Sequence, residues 1–289
     1  MSDLSRTTVI HSGAGQSRWE LASRPILPSL RPYVRGWGGY SEVTPGGSLS
    51  RELPAPRVVV IFEFGPPIQV FERGSEVQSS RYTGGFVAGL HEQFALTQHD
   101  GFQAGLQLDL TPIGARLFFG LPMSELTEQV FSLADLLPHE HRRISERLAS
   151  LSSWDARFEL VEQFLQARLA TPATSTALMA WASRQIEASG GAMDIRQLAR
   201  ELGYSSKHLI TLFRNHVGVT PKLYASLVRF DRLVQHLKSS RAGRWADLAL
   251  DLGYSDQAHL AREVRRFSGT TLTELRAVGA EAPSLPLDR

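Results

Sequence analysis

One helical pattern is written twice between residues 194 and 276, and it constrains the fold more than any other feature of the chain. The first copy places Ile195, Leu198, Ala199 and Leu202 before Gly203-Tyr204-Ser205, then His208, Leu209, Leu212, Phe213 and Gly218. The second places Trp245, Leu248, Ala249 and Leu252 before Gly253-Tyr254-Ser255, then His259, Leu260, Ala261, Val264 and Gly269. Apolar residues three and four apart on both sides of the turn predict two short helices per copy. Each Gly supplies the positive φ at which a helix stops sharply. Ser205 or Ser206, and Ser255 or Asp256, offer side-chain oxygens to start the next helix. This is the layout of a helix-turn-helix, whose second helix is free to enter a DNA groove.

The charge distribution agrees. Net charge is only +2 over 289 residues. Residues 190–277 hold 14 Lys/Arg against 8 Asp/Glu, whereas residues 1–189 hold 16 against 19. Positive charge is thus concentrated in the repeat, as phosphate binding requires. An acidic remainder argues against coating of nucleic acid along the whole chain.

The repeat resembles the C-terminal DNA-binding domain of the AraC family of bacterial transcription regulators, over roughly residues 176–277. The resemblance rests on Leu202-Gly203-Tyr204-Ser205, His208-Leu209, Leu212-Phe213-Arg214, Gly218-Val219-Thr220-Pro221, Tyr224, Arg229-Phe230, Leu252-Gly253-Tyr254-Ser255-Asp256-Gln257, His259-Leu260, Arg262, Arg265-Arg266-Phe267 and Gly269. Leu260, Val264, Leu272 and Leu275 stand where the family usually shows Phe, Phe, Pro and Tyr, so the packing of the last helices is altered. Asp194 with Gln197 predicts a capping box. Thr220-Pro221 opens a longer helix, with Leu223, Leu227, Phe230, Val234 and Leu237 as its stripe, that joins the two motifs.

The N-terminal part reads as β. Val58-Val59-Val60-Ile61-Phe62 is a buried strand by its β-branched content. Residues 68–71, 86–90, 94–96 and 102–110 follow at strand length, and Ala104, Leu106, Leu108 and Leu110 alternate onto one face. Short strands between Gly/Pro turns suggest a sandwich or barrel. From Thr111 the period becomes helical, with Ile144, Leu148, Leu151 and then Phe158, Val161, Leu165 marking a helical pair. This part resembles, more weakly, the cupin-like sensor domains that precede such DNA-binding modules.

The expected architecture is α+β in two domains: an N-terminal cupin-like β-barrel with a helical pair, and an all-α domain with two helix-turn-helix motifs. Expected boundaries are a flexible leader at 1–24, a sensor and dimerisation domain at 25–170, a linker at 171–176, the DNA-binding domain at 177–277 and a tail at 278–289. No apolar leader or membrane-length run occurs, and zero Cys fits a reducing compartment. A cytoplasmic, nucleoid-associated protein is expected.

The helix face opposite the core leucines nominates Ser206, Lys207, Ile210, Thr211 and Arg214 in the first copy. In the second it nominates Gln257, Ala258, Ala261, Arg262 and Arg265. Arg262 is the leading candidate for bidentate guanine contact, while Arg214, Arg265 and Lys222 suit phosphate. His208 and His259 precede core leucines, where packing or phosphate contact outweighs base reading. In the barrel, Trp37, Phe62, Phe86 and Phe94 with the polar Glu63, Gln93 and Gln107 are expected to line a ligand pocket. His91, His99 and Glu63 lack the paired-His spacing of a cupin metal site, so no metal and no cofactor is expected.

These readings favour a non-enzymatic transcription regulator over a metal-binding cupin or enzyme with an appended nucleic-acid module. The expected partners are operator DNA, a small-molecule effector, a second copy of the chain through residues 1–170, and RNA polymerase.

Overall fold

The computed structural model describes residues 7–71, 78–169, 174–239 and 244–278. Two antiparallel sheets face each other as the halves of a flattened barrel. The larger has the order β1-β2-β3-β10-β5-β8-β11: Thr8–Ala14, Ser17–Ser23, Val34–Val43, Phe102–Leu110, Val58–Glu63, Phe86–Ala88 and Val130–Ser132. The smaller has the order β4-β9-β6-β7: Ser48–Glu52, Ala95–His99, Ile68–Phe71 and Ser79–Tyr82.

The expected β10 alternation is present, and its apolar face turns away from the smaller sheet. Leu106, Leu108 and Leu110 join Val58, Val60, Phe62 and Trp37 in one core. The helices α1 (Pro112–Phe119), α4 (His141–Ser150) and α5 (Trp154–Arg168) cover that core. The opposite face meets the second sheet through Ile61, Ile68, Val70 and Phe86. The larger sheet therefore has two buried faces, and parity alone does not say which is the lumen. Ser153 caps α5, accepting from Ala156 N at 3.3 Å.

Two expectations need correction, and a third feature bears on self-association. The supposed leader at 1–24 contains the β1–β2 hairpin, paired Thr8↔Ser23 through Ala14↔Ser17, with β2 continuing onto β3. The missed signal is weak because Trp19, Leu21 and Ala22 become strand residues only by pairing with β1 and β3; residues 1–6 lie outside the described residues. The linker expected at 171–176 is shortened, since α6 (Thr174–Ala188) begins inside it and Thr176 is buried; residues 170–173 lie outside the described residues, as do 279–289 of the tail. The stripes of α4 and α5 are spent internally, for Ile144, Leu148, Phe158, Val161 and Leu165 are all buried against the barrel.

The C-terminal domain comprises α6, α7 (Ile195–Glu201), α8 (Ser206–Val217), α9 (Pro221–Ser239), α10 (Trp245–Asp251), α11 (Gln257–Ser268) and α12 (Leu272–Val278). Its first half shares a core with the barrel, because Leu90 and Ile113 cluster with Leu198, Leu209, Phe213 and Tyr224. The remaining two helices, α2 (Met123–Leu126) and α3 (Leu133–Leu136), complete the N-terminal layer. No helix among the described residues is long and apolar enough to cross a membrane.

The sheet–helix seam allows a direct test. A Cβ on Gly39 would lie 2.1 Å from the Trp154 ring, far inside van der Waals contact. Gly39→Ala is expected to destabilise the chain by about 1–3 kcal/mol through overpacking, measured by urea unfolding.

Candidate functional site

The two copies fold alike at the level of single hydrogen bonds. Gly203 N donates to Arg200 O and Tyr204 N to Ala199 O; Gly253 N donates to Leu250 O and Tyr254 N to Ala249 O. Gly203 and Gly253 have φ of 69° and 80°, a left-handed conformation that a Cβ disfavours. Of the candidate caps, Ser205 accepts from His208 N at 3.2 Å and Asp256 from His259 N at 2.7 Å. That bond from His259 N holds the Asp256 carboxyl below the usual carboxylate range. The capping box on α7 forms only in half: Asp194 accepts from Arg196 N, but Gln197 turns to Glu201 at 2.8 Å.

The 19-residue α9 carries both motifs. Tyr224, Ala225 and Val228 pack with α7 and α8. Leu227, Phe230, Leu233 and Leu237 pack with α10 and α11. Arg229 braces the assembly, donating to Gly191 O at 2.7 Å and Ser226 Oγ at 2.9 Å and pairing with Glu263 of α11 at 3.4 Å. Burial and the neighbouring Glu263 push the Tyr254 hydroxyl well above its ordinary range.

Between α8 and α11 lies an open cleft of about 750 Å³. Arg214, Lys222, Arg262 and Arg266 line it, with His259, Thr220 and Ser226. Among the nominated residues, Ser206, Lys207, His208, Thr211, Arg214, Lys222, Gln257, Ala258, Arg262 and Arg265 are exposed, while Ile210 and Ala261 are half-buried. Arg265 is not among the lining residues; it stands near Glu274, helping to hold that carboxyl low after the bonds Thr271 makes to it. His208 and His259 rest edge-on against Tyr204 and Tyr254, with centroids 4.9 and 5.3 Å apart.

Sequence reasoning missed two contributors. Arg266 was hidden among three arginines in five positions, and its i+4 spacing from Arg262 is the signal that places it on the cleft side. Glu92 comes from the N-terminal domain and has no local signal. It reaches into the cleft and bonds Arg266 at 2.5 Å.

The expected ligand residues do not converge. Trp37 and Phe62 belong to the helix-facing core, Trp37 lying 5.4 Å from the Phe158 ring; this corrects their placement in the lumen. Phe94 lies under the Arg51 guanidinium, 4.2 Å from its centroid, and abuts Gly269 of the other domain. Gln93 is exposed, and Gln107 donates to Asp109 at 2.8 Å. Phe86 faces the lumen.

Glu63 faces the lumen too. It accepts from Tyr40 Oη at 2.8 Å and from the Gly65 and Ala104 N–H groups at 2.9 and 3.1 Å. His91 stands 3.6 Å from Glu128, and His99 3.7 Å from Glu42. No three His, Asp or Glu side chains among the described residues are placed to hold a metal ion.

Comparison with known proteins matches residues 198–277 to the family described as a helix-turn-helix domain. This bears out the AraC-type resemblance for the C-terminal domain, which is a DNA-binding domain. A search of curated proteins gave no match. Among solved structures, ToxT from Vibrio cholerae is similar with a TM-score of 0.47 at 9% identity, covering 84% of this chain and 98% of that one. The oxalate decarboxylase of Lactobacillus farciminis is similar with a TM-score of 0.25 at 13% identity, covering 60% of this chain and 46% of that one. Fold similarity of this degree fixes neither ligand nor partner.

Glu63 supplies a pH prediction. Burial pushes its carboxyl from 4.5 up to about 7, against the opposing bonds from Tyr40, Gly65 and Ala104. The folded chain thus keeps a proton that the unfolded chain releases, and stability falls as pH rises between those two values. Glu63→Gln is expected to leave stability unchanged near about pH 5 and raise it by roughly 1–3 kcal/mol near about pH 8, read from urea unfolding at both.

Proposed function

We propose that the chain is a sequence-specific transcription regulator that reads two successive major grooves, one with α8 and one with α11, and whose N-terminal barrel takes a small-molecule effector. The observation that carries this reading is the cleft itself. Five cationic side chains, Arg229 among them, line the space between two twelve-residue helices fixed on one rod. Within it, Arg262 reads a base edge, and Arg214, Lys222 and Arg266 meet phosphates. Ser206, Lys207, Thr211, Gln257 and Ala258 face the duplex beside them, and Arg265 contacts flanking backbone.

The effector acts through the shared interface. Arg116 of α1 donates to Asn215 O of α8 at 3.0 Å, Arg51 of β4 donates to Ser268 O of α11 at 2.7 Å, and Glu92 holds Arg266. A ligand that prefers one arrangement of these contacts shifts the DNA-competent population by its differential affinity and no more. A homodimer and a contact with RNA polymerase belong to the same reading. With the α4 and α5 stripes internal, the free edge of β1, where Val9 and Ile10 are exposed, is the self-pairing surface. Ile10→Lys should then sediment as a monomer where the parent does not; identical behaviour of the two removes β1 from the interface.

Binding selection with variants tests the DNA reading. Arg262→Ala should weaken the best site by about 1–3 kcal/mol and relax preference at one base pair. Arg214→Ala should weaken all sequences alike and reduce the salt slope by about one. Glu92→Gln should tighten DNA binding severalfold, because Arg266 is freed for phosphate. Unaltered preference in Arg262→Ala would remove that residue from base reading.

A further inference from the structure

The space between the two sheets is packed by Ile61, Ile68, Val70 and Phe86 in one part and carries polar side chains in another. Strand register places Tyr40 opposite Gly105, Glu42 opposite Gln103 and Gln107 opposite Ile61, all on the lumen face. Tyr40, Glu42, Gln103 and Gln107 keep partial exposure, whereas Ile61 between them is buried and Val60, Leu106 and Leu108 on the reverse face have no exposure. Part of the lumen face is therefore solvent-accessible.

Its charge is uneven. At one end Asp109 is neutralised by Arg57 at 3.2 Å, and Arg57 with Lys238 also offsets Glu52. At the other end Glu42 is 30% exposed and accepts from Thr44 Oγ1 at 2.6 Å and from Gln103 Nε2 at 2.7 Å. Glu63 also faces the lumen, bonded to the N–H of Ala104. No Lys or Arg among the described residues pairs with either carboxyl.

His99 of β9 closes this end from the facing sheet. Its register partner Ser48, and Thr97 two residues away opposite Val70, place its side chain on the lumen face. Only 5% of it is exposed, and neither ring nitrogen has a hydrogen-bond partner. Buried polar atoms are ordinarily satisfied, so this ring leaves a donor and an acceptor to be met from inside the lumen.

The geometry points to a site for a small organic cation, a primary amine or a guanidinium, held between the Glu42 carboxylate and the His99 ring in the barrel lumen. Such a group offers several N–H donors and no acceptor. It forms charge-assisted bonds to Glu42 and donates to the lone pair of the His99 ring. A carboxylate ligand would meet the Glu42 carboxylate with like charge. The inference rests on the effector reading of the barrel and names the chemistry of that effector.

Isothermal titration of the full chain with agmatine and cadaverine, beside uncharged 1,5-pentanediol and anionic glutarate, tests it. At least one amine should bind with a Kd below about 1 mM, and the diol and the diacid should not. Glu42→Gln and His99→Phe should each weaken the amine about tenfold or more, with thermal melts showing that both variants are folded. Silence of both amines, binding of glutarate in their place, or full amine affinity in both folded variants would overturn the site. Affinity for selected DNA with and without amine separates this from the regulator reading. Amine binding that leaves DNA affinity unmoved keeps the site and removes the coupling, whereas no amine binding beside an Arg262-dependent DNA preference removes the site and keeps the DNA reader.

Discussion

The structure depends on one helix that buries two faces. Tyr224, Ala225 and Val228 on one side of α9 and Leu227, Phe230, Leu233 and Leu237 on the other give it an apolar surface too wide for a single partner. Each face seats one helix-turn-helix, so α8 and α11 cannot drift apart without exposing a core. Nineteen residues at the helical rise span roughly 28 Å, comparable with the 34 Å or so between successive major grooves. Arg229 tightens the arrangement by tying the α6–α7 turn, α9 and α11 through one guanidinium. Its charge is therefore structural, although it lies at the edge of the cleft.

The N-terminal domain is tied to this unit at both ends. Leu90 and Ile113 enter the core of the first motif, and Arg35 pairs with Glu187 and Tyr224 at the base of α6 and α9. Around the second motif the contacts are mostly polar, as with Glu92–Arg266 and Arg51–Ser268, with Phe94 against Gly269 and Leu53 against its core. Exposed ion pairs contribute about 0–1 kcal/mol, much less than a shared core. The second motif is thus joined to the N-terminal domain by fewer buried apolar side chains than the first.

The doubled motif was legible because everything that makes it is local. Apolar spacing, a Gly at positive φ and a capping oxygen lie within a dozen residues, and Ser205, Asp256, Gly203 and Gly253 all do what their types suggest. Strands β1, β2, β4, β7 and β11 were not legible, since they are short or polar and become strands only beside a partner far away in sequence. Trp37 and Phe62 show a second limit. Period-two alternation separates the faces of a strand, but here one face meets helices and the other a sheet, and both are buried. The aromatic content pointed to a pocket, whereas Trp37 and Phe62 face the helices and the lumen holds Phe86 beside the polar Tyr40, Glu42 and Gln103. Glu92 shows a third, for its place in the cleft is set by the docking of two domains and by nothing near it in the chain.

The central claim is that two unlike helices on one rod read two adjacent grooves. Hydroxyl-radical footprinting of the full chain on a selected DNA site tests it most directly. The account predicts two protected segments of different sequence, centred about 10–10.5 base pairs apart on one face of the duplex, with Gln257→Ala and Arg262→Ala thinning only one of them. A single protected segment, or two that fade together in those variants, would contradict it.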